Sequence, residues 1–156
     1  MKKSYIWPKL TRETAKMLSQ TAMYAIKAMG FIANYGDGKP VLSRTISAEM
    51  NIPQNFLSKI MNRLVQAGYL KSIRGTNGGF MLEHDPNQVS MREIAGLFMN
   101  LDELKRCFLG LTRCDGSCSL HKEWAPIMER FEKLLENTSI KKVKINRSTS
   151  VKNLEV

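Results

Sequence analysis

Apolar residues along this chain repeat at helical spacing through most of its length, and the places where that spacing fails outline the fold. Leu18, Ala22, Ala25, Ile26, Met29 and Ala33 recur at steps of three and four, which predicts a helix over about 13–34. The run YGDGKP at 35–40 ends it with Gly36, Gly38 and Pro40. Ser43 then reads as the N-cap of a short helix carrying Ile46 and Met50, and NIP at 51–53 reads as a turn into the next helix. Over 54–66, Phe56, Leu57, Ile60, Met61, Leu64 and Val65 gather on one face, which is expected to be buried. The opposite face carries Asn55, Ser58, Lys59, Asn62 and Arg63, and Gly68 is the helix stop. Two short apolar runs follow, YLKSI at 69–73 and FML at 80–82. They flank RGTNGG and predict a β-hairpin.

Beyond the hairpin, S-M-R-E at 90–93 fits a capping box, with Ser90 as N-cap and Glu93 three residues on, ahead of Met91, Ile94, Ala95, Leu97 and Phe98. Trp124, Ile127, Met128, Phe131, Leu134 and Leu135 mark a last amphipathic helix, with Pro126 expected in its first turn. That stripe is covered either by the chain's own core or by a second copy. Helix, turn, helix and hairpin in this order describe a winged helix-turn-helix. The expected fold class is mainly α with a small β-hairpin wing, extended by a long C-terminal helix suited to dimerisation. The expected divisions are a flexible extension at 1–14, the winged domain at 15–88, a cysteine loop and pairing helix at 89–140, and a basic mobile tail at 141–156.

Charge sharpens this picture. The 156 residues include 24 Lys and Arg against 14 Asp and Glu, a formal net charge of +10. Such an excess predicts an acidic partner, and nucleic acid suits a basic hairpin tip at Arg74 beside the amide-and-lysine face of the second motif helix. No apolar run approaches the ~20 residues of a membrane span, and no secretory signal is visible at the start. A cytoplasmic, reducing setting is expected, in which three cysteines do metal or redox chemistry and not structural disulfide work. No acid–base pair, nucleophile motif or phosphate loop stands out, so an enzyme with a small-molecule substrate is not expected.

All three cysteines and one of the two histidines lie in RCFLGLTRCDGSCSLH, at 106–121. Cys107, Cys114, Cys118 and His121 make a four-ligand set of three thiolates and an imidazole. By ligand count a Cys₃His zinc site and an iron–sulfur cluster are equally good readings, since imidazole can replace thiolate on one iron. A dithiol oxidoreductase fits less well, because C-D-G-S-C lacks the C-x-x-C spacing. Lys105, Arg106 and Arg113 nearby favour thiolates. His84, in LEHDP, reads as a surface histidine, and the ten methionines as core filler.

The run YAIKAMGFIA, then LSRTISAEMNIPQNFLSKIMNRLVQAGYLKSIRGTNGGFML, then the cysteines ahead of a helix, resembles the IscR/NsrR type of bacterial iron–sulfur-dependent winged-helix repressors. The likeness runs from about Leu18 to about Val143, and its most specific parts are RGTNGGFML and the three clustered cysteines. The resemblance implies a homodimer, palindromic double-stranded DNA sites and a cluster whose state controls binding. It puts Gln54, Asn55, Phe56, Ser58 and Lys59 on the recognition helix and Arg74 with Gly75 on the wing; Lys59 and Arg63 suit phosphates. It also implies Cys107, Cys114, Cys118 and His121 as ligands, with a two-iron cluster favoured over a four-iron one. The first gap between cysteines is longer, and the second shorter, than the commonest family pattern. Met23 stands where NsrR-like members carry a ligating aspartate. The rival expectation is a zinc-stabilised Cys₃His module that binds DNA or a partner without redox sensing.

Overall fold

Alanines, Gly30 and four large apolar residues fill one helix almost all round, and such a helix belongs at the centre of a fold. In the computed structural model, which describes residues 17–105, 107–109 and 116–145, this is α1 (Gln20–Tyr35). Ala22, Ala25, Ile26, Ala28, Met29, Phe31, Ile32 and Ala33 are all buried. Helix α1 starts at Gln20, later than the spacing predicts, because the Ser19 hydroxyl accepts from the Ala22 N–H at 3.1 Å and caps it there. The expected extension at 1–14 lies outside the described residues.

Around α1 pack α2 (Ser43–Met50), α3 (Gln54–Gln66), the hairpin β1 (Leu70–Ile73) and β2 (Gly79–Leu82), and α4 (Met91–Gly96). Ser43 is the first residue of α2 and Leu42 its N-cap, one position earlier than expected. Helix α2 ends at Asn51, which takes the left-handed conformation (φ 50°) that asparagine tolerates, and the Ile52 N–H bonds back to the Ser47 carbonyl at 3.0 Å. Helix α3 ends in the same way at Gly68 (φ 81°): its N–H reaches the Val65 carbonyl and the Tyr69 N–H the Leu64 carbonyl, both at 3.0 Å. Leu57, Ile60, Met61 and Leu64 are buried as the spacing predicts.

Phe56 is the exception on that face, being 51% exposed. It lies on the first turn of α3 at the margin of the buried stripe, so its ring stays in solvent. Strands β1 and β2 pair antiparallel in the register Leu70↔Leu82 through Ile73↔Gly79. A bridge from Val41 to Phe80 extends the hairpin by one rung, with N–H···O bonds of 2.8 and 2.9 Å. Gly79 allows it, since a Cβ there would stand 2.4 Å from the Val41 carbonyl oxygen.

A 3₁₀ turn (Leu101–Lys105) follows α4, and the long helix α5 (Ser119–Asn137) completes the mainly helical fold with its hairpin wing. Pro126 sits two turns into α5, not in its first turn as expected. Cys118 caps the helix earlier than the apolar stripe announces, and the proline removes the amide that would bond the Lys122 carbonyl.

The tail expected to be mobile from Lys141 is packed through Ile145. Ile140 is fully buried in a second 3₁₀ turn (Ile140–Lys142), and Val143 lies against Gly30. Lys141 Nζ donates to the Ala33 carbonyl at 2.9 Å, Asn34 Nδ2 to the Val143 carbonyl at 3.0 Å, and the Tyr35 hydroxyl to the Ile145 carbonyl at 3.3 Å. The first satisfies an orphan carbonyl at the end of α1, and all three dock 140–145 beside it. Residues 146–156 lie outside the described residues.

Candidate nucleic-acid interface and thiol–imidazole pocket

Helix α3 turns its amphipathic pattern into two chemically distinct faces. Gln54, Asn55, Phe56, Ser58, Lys59 and Arg63 are all exposed, as are Arg74 and Gly75 at the hairpin turn. Among the described residues, Lys59, Arg63 and Arg74 have no carboxylate partner, so their charge remains available to an external anion. Two of the α3 side chains are already engaged within the protein. Gln54 Nε2 donates to the Ser43 hydroxyl at 2.7 Å, and the Ser58 hydroxyl donates to the Gln54 carbonyl at 2.9 Å. Sequence reasoning missed Ser43 as a member of this group, since nothing in the spacing pairs it with Gln54.

The turn that carries Arg74 is tight. The Gly78 N–H bonds to the Gly75 carbonyl at 2.9 Å, and Gly75 has φ 112°, a conformation that side chains rarely adopt. Lys71 and Glu83 form an exposed ion pair at 3.6 Å at the base of the hairpin. Such a pair contributes little to stability.

The second candidate site is built by the start of α5. Cys118 is the N-cap, and its Sγ accepts from the His121 backbone N–H at 3.2 Å. Cys107, Phe108, Leu109, Cys118, Leu120, His121 and Trp124 line one pocket. Cys107, Cys118 and His121 therefore line the same pocket; Cys114 and the arginines at 106 and 113 lie outside the described residues. Phe108 holds the arm in place by an edge-on contact with Trp124, with ring centroids 5.0 Å apart at 63°. Lys105 pairs with Glu132 at 3.2 Å and fastens the preceding turn to α5. Gly116 approaches the His121 ring, where a Cβ would meet Nε2 at 3.5 Å. The Phe108–Trp124 contact was not foreseen, although both residues flank the cysteine segment.

The donor chemistry suits a soft metal centre: thiol sulfurs and an imidazole nitrogen, with a backbone N–H already directed at one sulfur. Little open space separates these side chains, ≈ 10 Å³. Among the described residues, no group of three or more His, Cys, Asp or Glu is close enough to hold an ion. Met23, half-buried on α1, offers no oxygen ligand.

Helix α5 is coupled to the winged part at its other end. Met91 N–H bonds to the Thr138 carbonyl at 2.9 Å and Ile140 N–H to the Val89 carbonyl at 2.8 Å, flanking a Ser90–Ser139 bridge. Ser90 is also the cap of α4, with the expected capping box complete: its N–H donates to Glu93 Oε2 at 2.7 Å and its hydroxyl accepts from the Glu93 N–H at 3.2 Å. The Tyr69 hydroxyl joins the same carboxylate. Partial burial, together with the charge and hydrogen bond of Glu93, raises the Tyr69 pKa above the ordinary phenol value. His84 stacks edge-on against Tyr69 at 6.4 Å and is exposed. No helix among the described residues is long and apolar enough to cross a membrane.

Known proteins share this architecture. An HTH-type transcriptional regulator IscR of Xenorhabdus nematophila is 28% identical over 141 residues, covering 89% of this chain and 81% of that protein. The IscR of Cronobacter sakazakii is 28% identical over 125 residues, covering 79% and 76%. Among solved structures, CymR, the global cysteine regulator of B. subtilis, superposes with a TM-score of 0.62 at 23% identity over 80% of this chain and 93% of that one. IscR of T. potens gives 0.60 at 23% identity over 80% and 83%. These two likenesses establish the winged helix-turn-helix fold. The Rrf2 family model, described as an iron-dependent transcriptional regulator, matches residues 18–145. With that match spanning most of its length, the chain belongs to the Rrf2 family of transcriptional regulators.

Proposed function

We propose that this chain is a homodimeric repressor that binds a palindromic operator under the control of an iron–sulfur cluster held by Cys107, Cys114, Cys118 and His121. The observation that carries the reading is the convergence of Cys107, Cys118 and His121 on one pocket at the start of the helix that would pair the two subunits. When bound, the cluster supplies iron–thiolate and iron–imidazole bonds sensitive to oxidants, nitric oxide or iron supply. Binding DNA and keeping three thiols reduced both call for the cytoplasm.

On DNA, α3 enters the major groove. Gln54 and Asn55 read base edges, and Phe56 offers its exposed ring to a thymine methyl. Ser58 lies on the same exposed face, Lys59 and Arg63 hold phosphates, and Arg74 with Gly75 brings the wing to the flanking backbone. Two-fold symmetry then sets half-sites about one helical turn apart, ~34–36 Å, or a multiple of it.

Control runs through α5. How the 107–121 segment is held fixes the start of that helix, while its far end is tied to α4 and α1. Purification of the full chain without air, followed by absorption spectroscopy and iron and sulfide counting, tests the cofactor. Visible charge-transfer bands with matched iron and sulfide are expected. A colourless protein carrying one zinc per chain overturns the cluster in favour of the Cys₃His zinc reading.

A further inference from the structure

Gln54 and Ser43 are the first residues of two successive helices, and their side chains meet across the turn between them at 2.7 Å. Both backbones there are fixed. Asn51 closes α2 in the left-handed conformation, and the Ser47 hydroxyl donates to the Ile52 carbonyl at 2.6 Å. The Gln54 amide is thus held by a side chain on a regular helix, although it faces solvent. A free glutamine at the protein surface samples many rotamers, and ordering it on a ligand costs conformational entropy.

A primary amide has two N–H donors and one carbonyl oxygen. One donor goes to Ser43, which leaves one N–H and Oε1. Adenine presents in the major groove an N7 acceptor and an N6 donor, the complement of that remaining pair. Guanine, with two acceptors there, satisfies only half of it.

We infer that Ser43 is a positioning residue that orients Gln54 to read adenine, so that a side chain on α2 sets the base preference of α3. This rests on the DNA-binding reading given above. Ser43 acts through Gln54 and need not touch the base itself.

The test starts from a duplex selected by the full-length wild-type protein from a randomised pool. Affinity is then measured for duplexes carrying each single base-pair change, with wild type, Ser43→Ala, Ser43→Thr, Gln54→Ala and the double variant, at several salt concentrations. Gln54→Ala should abolish preference at one A·T pair per half-site, a loss of about tenfold in discrimination. Ser43→Ala should lose most of that preference at the same pair, with the salt slope unchanged and no further effect in the double variant. Ser43→Thr, which keeps the hydroxyl, should restore it.

Independent effects of Ser43→Ala and Gln54→Ala would overturn the inference. So would an equal loss by Ser43→Ala on every duplex with a shallower salt slope, the mark of a phosphate contact. If Gln54→Ala keeps every preference, this inference alone fails. If wild type selects no sequence at all, the DNA-reading account fails with it.

Discussion

The thiol of Cys118 accepts a hydrogen bond from the backbone N–H of His121 at 3.2 Å, so two candidate metal ligands are also the N-cap and third residue of one helix. Folding and ligation therefore share an atom, and substitution can separate them. Serine is a preferred N-cap and a poor soft-metal ligand. Cys118→Ser should keep the metal-free protein as stable as wild type while iron content collapses. Cys118→Ala should lose iron and about 1 kcal/mol of stability as well. Urea unfolding of the metal-free forms beside iron analysis checks both.

The docked tail makes a second prediction. A Cβ on Gly30 would stand 2.8 Å from the Val143 carbonyl oxygen and 2.9 Å from its Cγ1. Alanine favours a helix by up to about 1 kcal/mol over glycine, but crowding a packed site costs about 1–3 kcal/mol. Gly30→Ala should therefore lower the urea midpoint, and tail residues 140–145 should lose amide-exchange protection first.

The Tyr69–Glu93 contact predicts an alkaline weakness. The Tyr69 pKa is raised above 10.0 by burial first and by Glu93 second. Folding thus favours the protonated phenol, so this contribution is complete below pH 10 and is lost as pH rises through the folded pKa. Thermal unfolding from pH 8 to 11 should show a decline that Tyr69→Phe reduces. An identical decline in the variant would remove Tyr69 as its source.

Helix α5 leaves Leu120, Ile127 and Leu134 exposed at seven-residue intervals, Ile127 by 50% and Leu134 by 55%. A repeat of seven is the seam of paired helices. Ile127→Lys with Leu134→Lys should give monomers in sedimentation while far-UV circular dichroism and the unfolding midpoint change little, since neither side chain is in the monomer's core. A dimer surviving both changes would place the subunit contact elsewhere.

Much of this was legible in the sequence because it depends on local chemistry. The α3 stripe, the stop at Gly68, the Ser90–Glu93 box and the hairpin about RGTNGG each follow from neighbours within a few residues. What was missed depends on partners far along the chain. Val143 and Ile145 sit among lysines and read as tail, yet Gly30, Asn34 and Tyr35 hold them from more than a hundred residues away. Ile140, Val143 and Ile145 were the available signal, an apolar set inside a basic run. The start of α5 was misjudged because cysteine is not among the preferred caps, although Cys118 serves as one. In the same way, Phe56 belongs to the apolar stripe by spacing but stays half exposed.

Control of DNA binding is proposed to lie in the 107–121 segment. Its most direct test measures affinity of one selected operator duplex, at fixed salt, for the cluster-bound protein, the same preparation after cluster removal, and the Cys107→Ala, Cys114→Ala and Cys118→Ala variants. Cluster-bound and cluster-free proteins should differ by roughly 5- to 150-fold, with each variant matching the cluster-free form. Equal affinity in all of these forms would contradict it.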